Sequence, residues 1–201
     1  IGKGDEVITQ GFTFVATWEA ILDVGAVPVF AEIDDTFCLD PEDLIKKISP
    51  KTKAIIPVHM CGAQARIKEI VNIGKNNNIF VIEDTAQACG GRLEDGFLGT
   101  FGDVGIFSFD YVKSITTGEG GMLITNNKEV MMRASEYHDH GREYKSNTHR
   151  GKLAKYFGFN YRMNELQGAL GLAQLKKLNS IIQKQQKNKV FLPLVEENKF
   201  D

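Results

Sequence analysis

Apolar residues along this chain come in short blocks rich in Val, Ile and Phe, separated by longer stretches in which they recur every three or four positions. Blocks of the first kind are those of strands buried on both faces. Stretches of the second kind are amphipathic helices, and the alternation predicts a mostly parallel sheet with helices on both sides. The expected strands are Glu6–Gln10, Val27–Ile33, Ala54–Met60, Ile79–Asp84, Val104–Phe109 and Met122–Thr125. Helices are expected at Phe14–Val24, Pro41–Ile48, Ala65–Asn76 and Lys128–Tyr137. Local signals agree: Thr13 stands where a cap for the first helix belongs, Asp40 and Pro41 open the second, and Lys75 to Asn78 close the third in turn-forming residues.

Downstream the pattern changes. Residues 142–155 are basic and polar with few apolar positions, as expected of an exposed or partner-covered loop. Leu166, Ala169, Leu170, Ala173, Leu175, Leu178, Ile181 and Ile182 then recur at helical spacing and predict one long amphipathic helix over Asn164–Gln186. The expected division is a large α/β domain over residues 1–160, and over 161–201 a long helix and linker leading toward a smaller domain. Because the chain opens on Ile1 and stops after Glu196–Asp201 without a terminating pattern, it is read as truncated at both ends.

Composition narrows the function. A chain of 201 residues that is 42% hydrophobic can bury one ordinary core. Its net charge of −2 comes with no basic stripe, which turns the reading away from nucleic acid and toward a small molecule. Three cysteines, none in a C-x-x-C pair, fit a reducing, cytoplasmic setting better than a disulfide framework. No apolar run reaches the roughly eighteen residues of a membrane span, and no secretory leader is visible.

Ligands of an open parallel sheet gather at the carboxyl ends of its strands. Two expected strands end in polar residues: Ile79–Ile82 runs into Glu83-Asp84-Thr85-Ala86-Gln87, and Ile106-Phe107 runs into Ser108 through Lys113 and then Gly118-Glu119-Gly120-Gly121. A carboxylate and an amine thus face one crevice. Singly, each has an ordinary explanation: Asp84 as a helix cap, Lys113 as a solvated loop residue, the glycines as turn formers. His59 reads as a satisfied structural histidine, while His138, His140 and His149 lack a recognisable ligand spacing, so no metal site is assigned. Arg142 and Arg150 are candidates for pairing with a phosphate or carboxylate of a substrate.

Taken in order, these residues resemble a known family. Gly4-Asp5-Glu6-Val7-Ile8, Phe12-Thr13-Phe14-Val15-Ala16-Thr17, Thr52 to His59, Ile82 to Gln87, Phe107-Ser108-Phe109 with Lys113, Gly118 to Gly121 and Gly158 to Glu165 match, collinearly, the fold-type I aminotransferases of the StrS/DegT type. Members of that family aminate keto-sugars, usually nucleotide-linked, with pyridoxal 5'-phosphate. The resemblance implies a three-layer α/β/α large domain of mostly parallel sheet. Lys113 is implied to hold the cofactor as a Schiff base and to move the proton during transfer, and Asp84 to hydrogen-bond the pyridine nitrogen. Gln87 is implied to reach the phenolic oxygen, Ser108 the phosphate, and Phe14 the ring face. Asn160 is implied to reach the phosphate of a second subunit, which makes the expected protein a homodimer with shared active sites.

The implied reaction moves an amino group from an amino acid, L-glutamate, to a keto-sugar for amino-sugar or surface polysaccharide biosynthesis. One departure bears on substrate: Phe109-Asp110-Tyr111-Val112-Lys113 is unlike the His-Pro-Thr-Lys form common in nucleotide-sugar members, and with His138-Asp139-His140 it resembles enzymes acting on an 8-oxo octulosonic acid. A family 3-dehydratase would carry histidine where Lys113 stands. A non-enzymatic ligand sensor or scaffold would have no need of Asp84, Gln87, Ser108 and Lys113 as a set.

Overall fold

The computed structural model describes residues 1–144 and 156–191. Its sheet has six strands in the order β2-β1-β3-β4-β7-β8: β1 Glu6–Gln10, β2 Val27–Ala31, β3 Thr52–Ile56, β4 Phe80–Asp84, β7 Val104–Ser108 and β8 Gly121–Ile124. Pairing is parallel from β2 through β7, and only β8 runs antiparallel, against β7. A small antiparallel hairpin, β5 Arg92–Leu93 and β6 Gly96–Phe97, lies between β4 and β7 in the chain.

Alternation along the strands sends neighbouring side chains to opposite faces. On one face Ile8, Ile55 and Val81 pack with Leu44 of α2 (Pro41–Lys47) and with Ile67, Ile70 and Ile73 of α3 (Ile67–Asn77). On the other, Val7, Ala54 and Ile56 pack with Ile21 of α1 (Ala16–Asp23). Each fully buried Ile or Leu in these clusters stabilises the fold by about 1.5–3 kcal/mol. The face under α1 is the one that carries the site.

Helix ends follow the local chemistry. Asp40 accepts from the Glu42 amide, with Pro41 in the first turn of α2, and Asn78 closes α3 in the left-handed conformation. Asn127 accepts from the amides of Glu129 and Val130 at the start of α4, Lys128–His138.

Three expectations are corrected. The first helix starts at Ala16 with no side-chain cap, and the Thr13 hydroxyl instead meets Thr17. The third expected strand ends at Ile56; Val58 keeps only an isolated bridge to Asp84, and Met60–Gly62 forms a short turn with Cys61 at positive φ. The single helix expected over 164–186 is two, α5 Glu165–Leu175 and α6 Leu178–Phe191. The break at Lys176 and Lys177 lets Leu178 and Ile182 pack onto Gly90, where an added Cβ would lie 2.5 Å from Ile182 Cδ1. Helical spacing continues through the break, so periodicity alone does not reveal it.

Candidate active site

At the carboxyl ends of β4 and β7 a cavity of about 860 Å³ opens, floored by Val7, Ile56, Ile82 and Ile106. Phe14, Asp84, Gln87, Ser108 and Lys113, the five residues expected to meet there, all line it. Asp84 ends β4 and Ser108 ends β7; the two strands pair in parallel, with Asp84 opposite Ile106. The polypeptide continues past Ser108 into an excursion that carries Lys113 and returns as β8, closed by the Phe109 amide donating to Gly120 O and the Thr117 amide to Phe109 O.

Asp84 is 6% exposed, and its carboxylate is fixed from two sides: Oδ1 accepts from the Ala86 amide at 3.1 Å and Oδ2 from the Thr17 hydroxyl at 2.9 Å. Each oxygen keeps lone-pair capacity for a donor in the cavity. Gln87 Oε1 accepts from the Cys61 amide at 3.2 Å and from its thiol, which leaves the Gln87 amide nitrogen as a donor. Ser108 Oγ accepts from the Asp110 amide, and its hydroxyl hydrogen is available. Among the described residues the Lys113 ammonium has neither an ion-pair nor a hydrogen-bond partner. Phe14 stands on the rim, 65% exposed, with no ring contact to another aromatic among the described residues. An apolar slot with a carboxylate and a lysine on its wall, an aromatic ring at its rim and a hydroxyl at a strand end fits a flat, phosphorylated nitrogen heterocycle.

Asn160 is not in this cavity. It is exposed, bridged to Asp139, and lies in a run of aromatic residues in which Phe159 stacks on Tyr161 at 5.4 Å and Phe157 meets Phe159 edge-on. Asp139 also pairs with Arg142 and Arg162. Arg150 and His149 lie outside the described residues. Among the described residues no group of three or more His, Cys, Asp or Glu side chains is placed to hold a metal ion.

His59, expected to be structural, is fully buried on the opposite face from the cavity floor. Its Nδ1 accepts from the Ala65 amide, so Nε2 carries the hydrogen and donates to Glu83 at 3.1 Å. Glu83 also accepts from the amides of Gly99, Phe101 and Gly102. Burial pushes the Glu83 carboxyl up, but the bonds from His59, Gly102 and Gly99 outweigh it and hold the group below the usual glutamate range.

Sequence reasoning missed Thr17 and Cys61, which hold Asp84 and Gln87 of the cavity wall. The signal for Thr17 was a polar residue one turn before Ile21 on the buried face of α1. For Cys61 there was none, because its role rests on a backbone amide in a positive-φ turn.

An α/β sheet with such a slot at its carboxyl edge is the arrangement in which open parallel sheets bind small ligands. The chain belongs to the DegT/DnrJ/EryC1/StrS aminotransferase family, whose model matches residues 1–192. It is 41% identical over 183 residues to the GDP-perosamine synthase of Escherichia coli O157:H7, a match covering 90% of this chain and 49% of that one. Among solved structures it is similar to Helicobacter pylori PseC, an aminotransferase involved in the biosynthesis of pseudoaminic acid. The TM-score is 0.88 and the identity 32%, over 97% of this chain and 53% of that one. It is also similar to NtdA of Bacillus subtilis, solved with its cofactor PMP bound, with a TM-score of 0.81 and 34% identity over 90% of this chain and 40% of that one. The chain spans about half the length of the curated relatives it matches.

Proposed function

We propose that the protein is a pyridoxal-phosphate-dependent aminotransferase that moves the amino group of L-glutamate to a keto-sugar, nucleotide-linked, in amino-sugar and surface polysaccharide biosynthesis. The observation that carries the reading is the convergence of Lys113, Asp84, Gln87, Ser108 and Phe14 on one cavity. The E. coli relative named as a perosamine synthase and the H. pylori aminotransferase of pseudoaminic acid biosynthesis support the sugar as acceptor.

Pyridoxal 5'-phosphate is the cofactor, and when bound it supplies an electron sink that lets an α-proton of an amino acid leave. Lys113 is the amine that would hold it and that, when released, would carry the proton as base and then acid. Asp84 would take the ring nitrogen, where its carboxylate would hold a proton through a charge-assisted hydrogen bond. The amide nitrogen of Gln87 would donate to the phenolic oxygen, the Ser108 hydroxyl would donate to the phosphate, and Phe14 would cover the ring face.

The working unit is a homodimer in the cytoplasm, in which Asn160 of each protomer completes the phosphate site of the other. Its exposure beside Phe157, Phe159 and Tyr161 supports this, since exposed aromatic clusters of this kind are features of interfaces. Three unpaired cysteines accord with a reducing compartment. No helix among the described residues is long and apolar enough to cross a membrane.

The decisive experiment uses full-length protein. It is expected to be yellow, to bleach on addition of glutamate, and to recover its colour with a keto-sugar from a panel of nucleotide-linked candidates. Lys113→Ala should lose the colour and lower turnover by at least ~10²–10⁴-fold while melting normally. A colourless wild-type protein that takes up no added cofactor, or unchanged turnover in Lys113→Ala, removes the reading.

A further inference from the structure

The hydroxyl of Thr17 contacts two oxygens, and it has one hydrogen. That hydrogen goes to Asp84 Oδ2 at 2.9 Å, so the 3.0 Å contact between Thr13 Oγ1 and Thr17 Oγ1 must use the hydrogen of Thr13. The three side chains therefore form a one-way chain, Thr13 donating to Thr17 and Thr17 to Asp84. Thr17 is 7% exposed, on the inward face of α1 beside Ile21, so it is held in this arrangement by packing. With the Ala86 amide on the other oxygen, each oxygen of Asp84 is engaged once by the protein and keeps one lone-pair direction for the cavity.

We propose that Thr17, backed by Thr13, is a positioning residue for Asp84: it fixes the torsion of the carboxylate and thereby the lone pair that meets the ring nitrogen. Phe14 lies between the two threonines in sequence and on the cavity rim. The short segment from residue 13 to 17 thus sets both the covering face of the slot and the orientation of its acid. A carboxylate without the Thr17 bond would be held at one oxygen only, free to swing about that contact. This inference rests on the function proposed above.

The test compares full-length, cofactor-loaded Thr17→Val, Thr17→Ser, Thr13→Val and Asp84→Asn with the wild type. Readouts are the pH dependence of the visible absorbance of the bound cofactor, kcat and KM separately, and the melting temperature of the cofactor-free protein. Thr17→Val keeps the shape and removes the hydroxyl. It is expected to shift the absorbance pH profile and to lower kcat roughly ten-fold, the worth of one hydrogen bond to a charged group, with KM little changed. Thr17→Ser should behave as the wild type, and Thr13→Val should fall between them. Should Thr17→Val fail to fold, the pair Thr17→Ser and Thr13→Val still decides the question.

An unshifted profile in Thr17→Val, or Thr17→Ser as impaired as Thr17→Val, overturns the positioning role if Asp84→Asn is crippled, and leaves the proposed function standing. An Asp84→Asn protein that turns over normally overturns that function and this inference with it.

Discussion

His59 Nε2 lies 3.1 Å from Glu83 Oε2, and neither side chain has any exposed surface. A buried carboxylate is tolerable only when fully hydrogen-bonded, and here three backbone amides and an imidazole N–H do so. The Glu83 pKa is depressed in the folded state. Its contribution to stability is therefore complete above the unfolded value, about 4.3, and is lost as pH falls through the lower folded value. Melting followed from neutral to acid pH should decline across that window. Glu83→Gln, which turns a donor toward His59 and Gly99, should cost about 3–5 kcal/mol at neutral pH and flatten the acid decline.

The loop that supplies those amides depends on a glycine in β7. A Cβ on Gly105 would stand 2.0 Å from Gly99 O, which no backbone can accommodate without moving the loop off Glu83. Gly105→Ala should destabilise by about 1–3 kcal/mol or more. Combined with Glu83→Gln it should be less than additive, since both act on one set of contacts. Denaturant midpoints of the two single variants and the double variant check this.

Thiol chemistry should discriminate among the cysteines. Burial pushes the thiols of Cys38 and Cys89 above their usual range, whereas Cys61 is exposed. A small alkylating reagent near neutral pH should label Cys61 first, as read by peptide mass. Because Cys61 is bonded to Gln87, loaded cofactor should slow that labelling; equal rates with and without cofactor would separate the turn from the site.

Subunit mixing tests the proposed sharing of the site between two protomers. Lys113→Ala and Asn160→Ala homodimers of full-length protein should both be impaired. A protomer of the first kind paired with one of the second leaves one site whole, with Lys113 from one chain and Asn160 from the other. Random mixing should restore about a quarter of the wild-type sites. No recovery would place the two residues in the same protomer's site or remove Asn160 from it.

Much of this was legible in the chain. Strands β1, β4 and β7 declare themselves as short β-branched runs, and the polar residues at the ends of β4 and β7 mark the sheet edge where the cavity lies. The same reasoning brought Ser108 and Lys113 to that edge, and the roles proposed for them came from the family resemblance. What stayed hidden depends on contacts distant in sequence. Thr17 meets Asp84 across 67 residues and Cys61 meets Gln87 across 26, and no periodicity encodes either. The β5–β6 hairpin has only two residues in each strand, too few to show alternation. Beyond the break between α5 and α6, Leu178 and Ile182 pack on Gly90, a contact far apart in sequence.

Glu83 and Asp84 occupy consecutive positions of β4 yet serve opposite sides of the sheet, one locked under His59 and the other opening onto the cavity. Sliding β4 by one place would exchange them, sending a shorter acid into a nest built for a longer one and leaving the slot with a side chain of the wrong reach. Misalignment of this strand would forfeit the fold's buried anchor and its chemistry together. One register of β4 thus settles both the buried anchor and the acid of the cavity.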